Sequence, residues 1–256
     1  MIARPHLHVG TAGWQLPKDL PARAEASALE RYAEHFNGVE LNSTHYKHHM
    51  DRTFQRWAAS VPKDFRFAVK MHRDITHIQR LTQVGPMQAF LEEVSALGEK
   101  LGPVLVQLPP KLAWTECGDV LEAVRGVYKG PLVVEPRHPS WSDGVVLRKL
   151  RQANVSVVAA DPPLIIPALK PLGDPVLCYF RLHGNPRMYW SPYDEPTLWA
   201  VAHQVAELLK LGQHAWVMFD NTASLAAVPN ALRLNELLKA AASRPSRSSR
   251  TRERRS

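Results

Sequence analysis

The sequence predicts an α/β protein built as a single (β/α)8 TIM-type barrel over residues 1–241, followed by a disordered basic tail over 242–256. Three observations predict it. Apolar runs of strand length alternate with longer amphipathic stretches eight times within the 256-residue chain, the count and size of such a barrel. The runs are nearly continuous, as in Leu132-Val133-Val134, which suits parallel strands covered on both faces. Charged and hydrogen-bonding residues gather after the runs, while Gly38, Pro103, Pro131 and Asp174-Pro175 precede them. An open doubly wound sheet is the alternative. It favours a glycine-rich phosphate loop after the first strand, and Gly10-Thr11-Ala12-Gly13-Trp14 imitates one only weakly.

The elements follow in order. His6–Gly10 reads as the first strand and Glu25–His35 as its helix. Gly38–Leu41 precedes a helix at Asp51–Ala59, and Phe65–Val69 precedes one at Pro86–Lys100. Pro103–Gln107 is followed by Glu116–Val127. The fifth run, Leu132–Val134, ends abruptly in Glu135-Pro136-Arg137-His138-Pro139, where two prolines fix the turn, and Asp143–Gln152 follows. Val155–Ala159 leads into a proline-rich loop, Pro162–Pro175. Val176–Leu182 is paired with Pro196–Leu211, and Ala215–Phe219 with Ser224–Lys239. No linker divides two domains.

The chain is 45% hydrophobic, enough for a sizeable core, yet no run reaches the roughly 18–20 apolar residues of a membrane helix. No export signal is read at the N-terminus, and two cysteines, Cys117 and Cys178, are too few for a disulfide framework. A cytoplasmic protein with no membrane partner is expected. Five of the eight net positive charges come from residues 243–256, with six arginines against one glutamate. That segment has nothing apolar to bury. It offers a salt-sensitive contact to nucleic acid, or it is a solvated extension.

Barrel active sites collect at the C-terminal ends of strands. Those ends carry Trp14; Glu40, Asn42, His45 and Tyr46; Lys70 and His77; Gln107; Glu135, Arg137, His138 and Trp141; Asp161; Arg181, His183, Tyr189 and Tyr193; and Asp220 and Asn221. Ion pairing at a barrel rim explains individual members, but stability alone does not require so many polar groups at one mouth. Glu135, Glu40, His183 and His77 are the candidate catalytic residues, since burial can set such pKa values apart for acid/base work. Lys70, Arg137 and Arg181 suit a phosphate or carboxylate. With His138, Asn42, Tyr46, Gln107, Asn221 and the rings of Trp14, Trp141, Tyr189 and Tyr193, they form the candidate substrate-binding set.

No metal ligands are assigned and no cofactor is identified. His45, His48 and His49 have ligand-like spacing, but no cysteine or carboxylate completes the set. No Gly-x-Ser-x-Gly elbow marks a serine hydrolase.

In order along the chain stand G-T-A-G-W (10–14), F-N-G-V-E-L-N-S-T-H-Y (36–46), R-W-A-A-S-V-P-K-D-F-R-F-A-V-K (56–70), I-T-H (75–77), L-G-P-V-L-V-Q-L-P-P (101–110), E-P-R-H-P-S-W (135–141), R-L-H-G (181–184) and F-D-N-T (219–222). Through these motifs residues 7–238 resemble the YecE-like proteins, a group known as domain of unknown function 72. The resemblance implies a TIM-type barrel and no established reaction. It also implies that Glu40, Asn42, Thr44, Tyr46, Lys70, His77, Gln107, Glu135, Arg137, His138, Trp141, Arg181, His183 and Asn221 stand at the family's motif positions. His45 departs from the phenylalanine expected there, and Asp220 from an asparagine.

The first functional expectation is an enzyme acting on a small anionic molecule by acid/base chemistry at the mouth. A metal-dependent phosphoesterase or nuclease-like protein is the second, with Glu40, Glu135, Asp161, Asp220 and a histidine as possible ligands. A non-enzymatic nucleotide or nucleic-acid binder is the third.

Overall fold

The structure, a computed structural model, describes residues 6–165 and 169–242. The tail expected to be disordered, 243–256, lies outside them. Among the described residues there are ten strands and seven α-helices. The strands are β1 Leu7–Thr11, β2 Gly38–Leu41, β3 Arg66–Lys70, β4 Leu101–Gln107, β5 Leu132–Glu135, β6 Val155–Val157, β7 Ala159–Asp161, β8 Leu172–Gly173, β9 Leu177–Leu182 and β10 His214–Phe219. The helices are α1 Ala28–Ala33, α2 Asp51–Ala59, α3 Val84–Val94, α4 Trp114–Val127, α5 Gly144–Gln152, α6 Glu195–Lys210 and α7 Ala227–Ala242.

Two sheets result, ordered β1-β10-β9-β7 and β2-β3-β4-β5-β6-β8. Every pairing is parallel except that of the two-residue β8 with β6. The βα alternation read from sequence is therefore present. The sixth strand differs: it breaks at Val158, so its first half pairs with β5 and its second half with β9. The Pro162–Pro175 connection also holds β8, which is too short for a periodicity to register.

Boundaries moved where capping chemistry outranks hydrophobic pattern. Helix α1 starts at a capping box, Ser27 with Glu30, and is far shorter than Glu25–His35. The helix expected over 86–100 is α3 followed by a 3-10 stretch, Ser95–Lys100, interrupted at Gly98 with φ 56°. Asp194 caps α6 through the Thr197 amide.

Side-chain alternation sorts each strand into two faces. One face, with Val39, Phe67, Val69, Val106, Val134, Phe180 and Phe219, packs into the main apolar cluster with the helices. The opposite face holds a smaller cluster of Ala68, Leu105, Val133, Tyr179, Trp216 and Met218. At the N-terminal ends His8 lies 4.4 Å, centroid to centroid, from the Trp216 ring. Gly38 and Gly102 leave room for these side chains; a Cβ on Gly102 would meet the Trp216 ring at 2.7 Å. The same alternation, continued to the C-terminal strand ends, carries Glu40, Lys70, Gln107, Glu135 and Arg181. Among the described residues no helix is long and apolar enough to cross a membrane.

Candidate active site at the C-terminal strand ends

Arg181 is the centre of the site and is wholly buried. Its Nε and Nη2 donate to Glu40 at 3.0 and 2.7 Å, Nη1 donates to Glu135 at 2.5 Å, and Nη2 also donates to Asp220 at 2.9 Å. One guanidinium thus binds carboxylates from β2, from β5 and from the residue just past β10. Tyr179 adds its hydroxyl to Glu40 at 2.8 Å, and Gln107 adds its amide to Glu135 at 2.8 Å. Arg137 reaches Glu135 at 3.2 Å from above.

Burial alone would raise the pKa of Glu135. Arg181, His183 and Arg137 outweigh it and hold the carboxyl well below the usual range. Burial likewise opposes the charge on Arg181, and its three acidic partners overcome that and raise its pKa. Asp220 is held down by Arg181 and His183 against the effect of burial.

Above this layer the groups are less committed. Lys70 is 7% exposed, and its ammonium has no hydrogen bond or ion pair among the described residues. Burial, then Arg181, lower its pKa, and the pull of Glu40, Asp220 and Glu135 does not compensate. His77 is half-buried; burial, Lys70 and Arg137 lower its pKa, which favours the neutral imidazole. His183 Nδ1 lies 3.0 Å from Asp220, and its Nε2 lies 3.7 Å from Glu135 without a hydrogen bond. The Tyr189 ring stands edge-on to His183, with centroids 5.7 Å apart, and Tyr189 adopts φ 68°. Arg137 Nε, Asp161 Oδ2 and Asn42 Oδ1 are buried without partners as well.

The other residues expected in the site serve its walls. Trp141 is completely buried, donates to the Leu112 carbonyl and packs edge-on to Trp114. Tyr193 accepts from the Gly184 amide and donates to the Asp161 carbonyl, pinning the loop after β9. Asn221 ties that loop to α7 through Ser191 and Asn230. His138 accepts from the Ser140 amide and caps the 3-10 turn Pro139–Ser142. Tyr46 is 67% exposed, and Trp14 packs edge-on to Trp57.

Sequence spacing suggested a histidine cluster, but the three rings go to separate partners. His45 bonds the Met71 carbonyl, His48 bonds Glu93, and His49 bonds the Ser43 hydroxyl. Among the described residues no three His, Cys, Asp or Glu side chains gather as a metal site. Glu40, Glu135 and Asp220 pair with Arg181 instead. His45, noted in the sequence for its histidine spacing and as a departure from phenylalanine, proves to be buried beside Lys70 and His77. Burial and Lys70 lower its pKa to about 4. Periodicity gives no sign of that placement, because the residue lies in a 3-10 turn beyond β2.

A family profile described as "Protein of unknown function DUF72" matches residues 8–254. The chain is 30% identical over 164 residues to UPF0759 protein YecE of Escherichia coli (strain K12); the match covers 60% of this chain and spans only 59% of that protein's length. It is 23% identical over 269 residues to UPF0759 protein YunF of Bacillus subtilis (strain 168), covering 91% and 94% of the two chains. Two solved structures share the fold. One is a DUF72 family protein, EF0366, from Enterococcus faecalis V583, with a TM-score of 0.78, 22% identity and coverage of 91% and 95%. The other, TM1631 from Thermotoga maritima MSB8, has a TM-score of 0.75, 27% identity and coverage of 91% and 99%.

Proposed function

The chain belongs to the DUF72 family of proteins of unknown function, and on that footing we propose that it is an enzyme acting on a small anionic substrate at the mouth of one (β/α)8-type barrel. Two contacts support the barrel. Ala12 and Glu40 bridge β1 to β2, and Gly13 donates to the Glu40 carbonyl at 2.8 Å. The sixth strand, broken at Val158, joins the two sheets through consecutive residues. Two buried, unpaired cysteines support a reducing, cytoplasmic setting.

The observation that carries the functional reading is the Lys70 ammonium, without a hydrogen bond or ion pair among the described residues, near a neutral His77 on which Arg137 also acts. An unpaired buried cation is costly and gains nothing for the fold. A substrate phosphate or carboxylate repays that cost by pairing with Lys70. His77 then takes the proton as general base. Glu135 and Glu40 are the poorer proton carriers, because both are locked onto Arg181 and serve to hold the floor. His183, oriented by Asp220, stands behind Tyr189 as a second imidazole for the return of the proton.

The test is incubation of the protein with phosphorylated and carboxylated metabolites, followed by mass spectrometry. His77→Gln is expected to lower the turnover found by about 100-fold or more while inorganic phosphate still raises the melting temperature. Full turnover in both His77→Gln and Lys70→Met would sink the assignment.

A further inference from the structure

Beside the mouth lies a cleft of about 600 Å³ between the loop after β1 and the loop and helix after β2. Nothing in the network around Arg181 uses it. Trp14 and Trp57 meet edge-to-face there at 5.3 Å, and the His49 ring packs 5.0 Å from Trp57. Its charged lining is wholly basic: Lys18, Arg31 and Lys47. Two of its lining residues carry buried polar atoms with no partner, Arg31 Nε and Asn42 Oδ1. Both atoms lie below the cleft surface, so they record polar groups packed into its wall and not contacts open to a ligand.

We propose that this cleft is a binding site for a nucleoside monophosphate. A flat heteroaromatic ring suits the indole walls, since every base has a face to stack. The Arg31 side chain adds a third positive charge to the same lining. The exposed Lys18 and Lys47 ammonium groups take the phosphate, and the absence of any acidic lining residue disfavours a cation. The volume lies within the range of small-molecule sites. Because Asn42 directly follows β2, the cleft adjoins the mouth, but its occupancy does not depend on any reaction there.

The experiment is titration of the full chain with adenosine 5′-monophosphate, read by tryptophan fluorescence and calorimetry, which need no turnover. Saturable binding is expected, weaker at higher salt. Trp57→Ala should weaken it about tenfold or more. The paired surface variant Lys18→Gln/Lys47→Gln, which leaves the core untouched, should weaken it several-fold. Adenosine should bind less tightly than the monophosphate, and Lys70→Met should leave the affinity unchanged. No binding at 5 mM (a working ceiling, about the limit of useful affinity) would overturn the proposal. So would affinity that Lys70→Met abolishes and a folded Trp57→Ala retains. Failure here with turnover still dependent on His77 leaves the enzyme reading standing.

Discussion

Lys70 is the residue whose environment asks most for a function. Its aliphatic stem is buried and its ammonium faces Arg181, a like charge, without a direct partner. A pKa lowered on folding means the folded state binds the proton less tightly than the unfolded chain does. The charged form therefore weakens the fold below the folded pKa, and the penalty fades as pH rises toward the ordinary lysine value. Lys70→Met removes it. We expect the variant to melt about 3 °C higher than the parent at pH 7, with the gap closing toward pH 10, as read by calorimetry. An unchanged or lower melting temperature at pH 7 would show that Lys70 is structurally paired. A gain in stability on removing the side chain is the trade expected under the proposed role of Lys70.

Among the elements, β1 and β2 show how tightly the strand ends are fixed. Tyr32 of α1 donates to the Gly38 carbonyl at 3.1 Å and accepts from the Thr11 amide at 2.8 Å, so one hydroxyl ties a helix to two strands. Gly10 sits directly against this junction. A Cβ there would lie 2.0 Å from the Gly38 carbonyl oxygen and 2.7 Å from the Tyr32 hydroxyl. Backbone cannot yield as a flexible side chain can. Gly10→Ala is expected to cost about 3 kcal/mol, measured by urea denaturation; a midpoint within error of the parent would refute the close approach. The sequence marked this strand and its glycine-rich end. It could not show that β2 lies against it, because the contact spans 28 positions of chain.

At the scale of the whole molecule, the Arg181 network joins β2, β5, β9 and the end of β10 through charge. Removing one member leaves the others uncompensated in a buried site, so Glu135→Gln should cost about 3–5 kcal/mol. The sign with pH is fixed by the lowered pKa of Glu135. Its contribution is complete above the ordinary carboxylate pKa of 4.5 and is lost as pH falls below it. Thermal melts between pH 7 and pH 3 should therefore show the parent losing stability on acidification and Glu135→Gln losing less. Parallel curves would deny Glu135 its ionised role.

Periodicity and strand-end chemistry are local, so the βα alternation and most residues of the candidate site were legible in the chain itself. Glu40, Lys70, Glu135, Arg137 and Arg181 could be named because alternation places them on one face. Which of them pair was not legible. Glu40 and Arg181 are 141 positions apart, and their bond depends on how the sheets curve together. The same long-range packing made Trp141 and Tyr193 wall residues, broke the sixth strand at Val158 and brought His45 to Lys70. By itself the sequence determined the repeating elements and the chemistry at their ends, because hydrophobic period and turn residues act over a few positions. Only the tertiary structure decided that Arg181 is spent on three carboxylates while Lys70 stands unpaired, because ion pairing is settled by distance in space and by the loss of water on burial.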